Sequence, residues 1–120
     1  MLYCAENIAL ASLETFVHVN SGSLPLNRYL VRIDIPDALW RAAVSLTAIT
    51  APVGWDAIPT GKVSLDIGDA WAASGVSALL LAPSVIVPEE QNILINPLHA
   101  YAKTITTTKI RKWHYDTRMA

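Results

Sequence analysis

The chain has 120 residues, of which 52% are hydrophobic and 16% charged, and its formal net charge is −1. That length suits one domain with a single core, and the apolar content excludes a disordered chain. The one basic run, "KIRKWH" at 109–114, reads as a solvated strand end, so neither direct nucleic-acid binding nor a membrane-surface role is expected.

Cys4 is the only cysteine, which rules out an internal disulfide and a thiolate metal cluster and fits a reducing cytosol. The first residues lack a basic n-region, so a signal peptide is not expected. The longest apolar run, "VSALLLAPSVIVP", is interrupted by prolines before it reaches transmembrane length.

In chain order, "ENIALASLETFVHV" repeats Leu10, Leu13 and Val17 at helical spacing and predicts a helix from about Ala5 to Val19. Gly22 and Pro25 end it. "RYLVRIDIP" alternates Tyr29, Val31, Ile33 and Ile35 with Leu30, Arg32 and Asp34, the pattern of a half-buried strand stopped by Pro36. "DALWRAAV" predicts a helical turn capped by Asp37. "TAPVGWDAIPTGK" reads as a loop, and "SLDIGDAWAASG" as a helix closed by Gly75. "VSALLLAP" is continuously apolar, as a central strand buried on both faces would be. The segment "APSVIVPEEQNILINPLH" supplies one or two more short strands, with Val85 to Val87 and Ile93 to Ile95 expected inside. "AKTITTTKIRKWHYD" alternates again and predicts a strand or hairpin ending near Asp116. The sum is a mixed α+β single domain, rich in strands towards its end.

Few residues stand out chemically. Glu14 shares a helical face with Leu10 and Val17, the side expected to be covered, and has only His18 as a charged neighbour at helical spacing. Two readings stay open: a glutamate at the stripe's edge reaching solvent, or a carboxylate aimed into a cleft. Ser84 follows Pro83 at the end of the buried strand, a common position for ligand contacts and for turn caps. No nucleophile elbow surrounds it. Tyr3 lies just before the first helix, where its hydroxyl could face a pocket or rest at a buried edge. His18, His99 and His114 lack metal-ligand spacing, so no metal is expected. Trp40, Trp55, Trp71 and Trp113 read as packing residues rather than a stacking platform.

The ordered blocks "LYCAENIALASLETFVHV", "YLVRIDIPDALW", "GWDAIP", "IGDAW", "LLLAPSVIVPEEQNILINPLH" and "WHYDTRM" span the chain. Together they resemble the RES domain, the toxin half of a bacterial toxin–antitoxin pair, named after an Arg, a Glu and a Ser. Matched position by position, the family's glutamate falls on Glu14, its serine on Ser84 and the tyrosine of its Tyr-x-Ala on Tyr3. Asn92, Asn96 and His99 match the block after the serine, where structural roles are expected. The family's arginine belongs to a segment preceding Tyr-x-Ala, and Arg28, Arg32 and Arg41 lie in the wrong block to replace it. Residues 1–120 are therefore expected to be a RES domain without its N-terminal segment.

The resemblance implies an ADP-ribosyltransferase-like fold and a cytoplasmic toxin that consumes NAD as its substrate. The implied reaction cleaves the nicotinamide–ribose bond by hydrolysis, by phosphorolysis or with transfer of ADP-ribose to a protein. Catalysis would fall to Glu14 and Ser84, and NAD binding to Tyr3, Glu14 and Ser84. The implied partner is an Xre-type helix-turn-helix antitoxin. The alternative reading is a non-catalytic truncated remnant that at most binds an antitoxin.

Overall fold

A computed structural model describes residues 1–17, 28–47, 62–116 and 118, with backbone alone for 62–65. The chain starts as a strand, β1 (Leu2–Ala5), and only then turns into α1 (Ile8–Val17). The expected helix therefore begins three residues late. Asn7 sets the boundary: its side-chain oxygen accepts the Leu10 N–H at 2.8 Å, and its carbonyl accepts the Ala11 N–H at 3.1 Å. A free helix start leaves its first N–H groups without partners, and an Asn at that point supplies one. Residues 18 and 19 of the expected helix lie outside the described residues.

The strand expected in "RYLVRID" is present as β2 (Arg28–Asp34). The following helix, α2 (Asp37–Arg41), is capped by Pro36 rather than Asp37. Pro36 has an extended backbone (φ −57°, ψ 142°), which puts Asp37 inside the first turn. There its carboxylate favours the helix N-terminus through the macrodipole rather than as a cap. A short strand that sequence reading missed, β3 (Val44–Ser45), comes next. The loop expected at 50–62 lies outside the described residues except for Lys62, which begins the next helix. Helix α3 (Lys62–Ser74) is closed, as expected, by Gly75 at φ +63°, a left-handed position suited to glycine.

Strands β4 (Leu79–Pro83) and β5 (Gln91–Ile95) complete a four-stranded sheet in the order β1-β5-β4-β3, with only the β3–β4 pair parallel. Thus the "LLLAP" of "VSALLLAP" forms a central, buried strand, while Val76, 66% exposed, precedes it. The final strand, β6 (Thr106–Trp113), pairs with β2 in a separate antiparallel ribbon whose register shifts between Leu30 and Val31. The basic run expected to be solvated is so: Lys109, Ile110, Arg111 and Lys112 are all exposed. The domain is α+β and rich in strands, as the sequence predicts.

Strand alternation divides the four-stranded sheet into two chemically different faces. Leu79 pairs with Ile95 and Leu81 with Ile93, while Cys4 pairs with Ile93 on the far side. These residues point one way and form the core with Leu39 of α2 and Ala78. Ile33, Ile35 and Ile105 close over it. The opposite face carries Tyr3, Leu94 and Leu80 in one row and Ala5, Asn92 and Ala82 in the next. Asn96 continues the Asn92 side and donates to the Ala72 carbonyl of α3 at 3.1 Å. Trp71 of α3 is buried and donates its indole N–H to Ser77 at 2.9 Å. Trp40, expected in the core, is 44% exposed because α2 turns Leu39 inward instead. Trp55 lies outside the described residues.

Two outcomes test this arrangement. Burial against Ile93 pushes the Cys4 thiol from 9.0 up to about 11, so the folded protein keeps a proton that an unfolded thiol loses. Alkylation by iodoacetamide at pH 8 is therefore expected to be about 100-fold slower in the folded chain than in urea, because the thiolate is the nucleophile. For the same reason folding stability should fall as pH rises past the unfolded thiol's range. Equal labelling rates would mean that β1 is out of register by one residue. Asn7→Ala is expected to cost about 1 kcal/mol in urea unfolding, with Asn7→Ser recovering most of it. An Asn7→Ala protein as stable as the original would show that α1 does not start at this cap.

Candidate functional site

Glu14 is two helical turns beyond Asn7, on the same side of α1. The inward line of that helix runs through Leu10, which is 1% exposed, and then Glu14. Leu13 and Val17, expected to be covered, are 37% and 52% exposed. Glu14 itself is half-buried. A carboxylate in that position must recover the hydrogen bonds it loses with water.

It recovers them from the sheet. The Ser84 hydroxyl donates to Glu14 Oε1 at 2.6 Å, and Asn92 Nδ2 donates to the same oxygen at 2.9 Å. Asn92 is the second residue of β5, with Ala5 and Ala82 as its lateral neighbours. Their short side chains leave room above β5 for the helix to bring its carboxylate down. Ser84 follows β4 directly, and its amide donates to the Glu90 carbonyl at 2.9 Å. Among the described residues none donates a hydrogen bond to Oε2.

The loop that carries Ser84 is built by the serine itself. Its hydroxyl oxygen accepts the N–H groups of Ile86 and Val87, each at 3.1 Å. Pro83 and Pro88 flank the segment and have no N–H of their own. Residues 85–87 therefore turn instead of pairing, which corrects the expectation of a buried strand there: Val85 is 38% and Ile86 39% exposed. The loop is tied to the start of α1 at three points. Asn7 Nδ2 donates to Glu90 Oε1 at 2.6 Å, the Gln91 N–H to Glu6 Oε1 at 3.0 Å, and the Glu6 N–H to the Gln91 carbonyl at 3.2 Å.

Of the three residues singled out from sequence, Glu14 and Ser84 thus meet directly. Tyr3 does not join them. It is 70% exposed on the edge strand, on the same sheet face as Asn92, and its hydroxyl has no hydrogen-bond partner among the described residues. His18 lies outside the described residues. Asn96 and His99 do serve the backbone, accepting the N–H groups of Leu98 and Tyr101 respectively. Asn92, expected to have a structural role, bonds the Glu14 side chain, a contact that sequence reading did not foresee. The signal was present: asparagine is disfavoured inside a strand, and "QNILI" is otherwise a strand pattern.

Arg32 pairs with Asp34 at 3.2 Å, and Arg118 forks onto Asp116, holding that exposed carboxyl below the usual carboxylate range. None of the described arginines bonds to Glu14. Among the described residues no group of three or more His, Cys, Asp or Glu could hold a metal ion. No helix among them is long and apolar enough to cross a membrane.

The RES domain model matches residues 1–118. The chain is 58% identical to the Prs ADP-ribosylating toxin of Sphingobium sp. (strain YBL2), over 99% of this chain and 74% of that protein. It is 33% identical to the Toxin Res of Yersinia enterocolitica, over 98% of this chain and 76% of that protein. To the Toxin Res of Photorhabdus laumondii the identity is 34%, over 98% and 74% respectively. A match across nearly the whole chain, with the glutamate and serine brought into contact by the fold, makes this chain a member of the RES domain family.

Proposed function

We propose that this RES domain is a toxin that consumes NAD by cleaving the bond between nicotinamide and ribose. The observation that carries the reading is the Glu14 carboxylate: half-buried, fixed through one oxygen by Ser84 and Asn92, with no described donor on the other. The relative named as an ADP-ribosylating toxin supports the substrate, since ADP-ribose is what remains of NAD once nicotinamide leaves.

Loss of nicotinamide develops positive charge on the ribose ring, as in the oxocarbenium-like transition state of glycoside hydrolysis. A preorganised carboxylate beside that ring stabilises the charge as it forms and needs no rearrangement at that moment. Glu14 has this role. Its position on a capped helix above a central strand keeps it from swinging away. Ser84 belongs to the same site, and the exposed Tyr3 hydroxyl, on the same sheet face, is available to bond or pack against the nicotinamide end.

The departing group leaves with the bonding electrons, and the ribose carbon is taken by water, phosphate or a protein nucleophile. The reading carries with it a cytoplasmic site of action, where NAD is available, and an antitoxin of the Xre helix-turn-helix class as partner.

Incubation of the purified chain with NAD is expected to release nicotinamide, followed by chromatography. Glu14→Gln preserves the shape but removes the charge, and should lower the rate about 100- to 1000-fold. Equal nicotinamide release by the Glu14→Gln protein would remove Glu14 from the chemistry, and no release by the unsubstituted chain would overturn the function.

A further inference from the structure

We infer that Ser84 acts on Glu14 and not on the substrate, and that Asn92 is its partner in a two-donor clamp on a single carboxylate oxygen. The inference rests on the role proposed for Glu14 and assigns how that residue is held.

The argument is an inventory of one hydroxyl. A serine side chain has one O–H to donate and two lone pairs to accept with. Ser84 gives its proton to Glu14 Oε1 and receives the backbone N–H groups of Ile86 and Val87. All three capacities are used within the protein, and the residue is 0% exposed. A substrate atom finds neither a surface to touch nor a lone pair to bond. A nucleophilic serine would need a free lone pair aimed at the reacting carbon. Here both are committed to the turn.

Asn92 completes the clamp. Its Nδ2 reaches the same Oε1, and among the described residues that is its one side-chain hydrogen bond. The two donors come from the ends of adjacent antiparallel strands, on one sheet face, so the distance between them is set by the sheet. The terminal torsion of a glutamate is broad and nearly two-fold. Two donors converging on Oε1 fix that torsion and leave Oε2 without a donor among the described residues. Ser84 and Asn92 are positioning residues, and Oε2 of Glu14 is the atom that meets the ribose.

The test separates positioning from substrate contact. Asn92→Ala leaves the 84–90 turn intact and is expected to lower kcat for nicotinamide release at least 10-fold, with KM for NAD changed less than about twofold. NAD affinity, measured by calorimetry in the Glu14→Gln background, should change less than twofold on adding Asn92→Ala or Ser84→Ala. A tenfold loss of NAD affinity in either double variant would overturn the inference, because it would show direct contact. So would wild-type kcat in Asn92→Ala. Thermal unfolding of each variant identifies any loss due to misfolding, a risk mainly for Ser84→Ala, which strands two backbone N–H groups. Failure of the underlying reading looks different: the unsubstituted chain would then release no nicotinamide, or Glu14→Gln alone would release it as fast as the unsubstituted chain and remove Glu14 from the chemistry.

Discussion

The hydrogen bond from Ser84 to Glu14 joins residues 70 apart in sequence, and the placement of the first helix depends on it. A half-buried carboxylate, with no cation bonded to it among the described residues, is costly unless donors replace its water. Helix α1 buries only Leu10 deeply, so apolar contact alone leaves its rotation about its own axis loosely fixed. The paired donors on Oε1 remove that freedom. One polar contact therefore fixes both the helix and the carboxylate it carries.

Other polar contacts work to the same end. Asn7 caps the helix and at the same time bonds Glu90, so the point where the helix starts is tied to the loop that holds Ser84. Glu6 and Gln91 exchange two further bonds at that corner. Those residues lie at the near end of α1, and Glu14 meets Ser84 and Asn92 two turns on. The helix is thus fastened to the β4–β5 connection at two levels. This is why a turn built from "PSVIVP" matters: it curls the backbone N–H groups onto the Ser84 oxygen and turns its proton towards Glu14.

Much of the architecture could be read from pattern, and the failures have physical causes. The unbroken apolar run "ALLLAP" gave β4 because it reports burial, whereas the alternation in "RYLVRID" gave β2 although Tyr29 and Val31 are exposed and the strand is held by its pairing with β6. The start of α1 was misread because Ala5, Glu6 and Asn7 fit a helix locally, whereas pairing with β5 wins for Leu2–Ala5. The segment 85–87 was misread because its residues favour strands, yet the N–H groups of Ile86 and Val87 are taken by a serine side chain. Glu14 and Ser84 each stand out singly and take their roles from the resemblance, but no spacing in the chain ties 14 to 84. Asn92 was legible only as an anomaly, a polar residue in a strand whose partner lies 78 positions away.

The two faces of the central sheet explain how one small domain accommodates both stability and a polar site. Leu79, Leu81, Ile93 and Ile95 bury the apolar side of β4 and β5 on one face, so the other need not be apolar throughout. On that second face Ala5 of β1, Asn92 of β5 and Ala82 of β4 lie side by side, and there Asn92 meets the Glu14 carboxylate. Strand alternation makes the arrangement indivisible. Shifting β5 by one residue would send Asn92 into the apolar core and present Ile93 to Glu14. The core packing thus selects the register, and the register in turn aims the Glu14 oxygen.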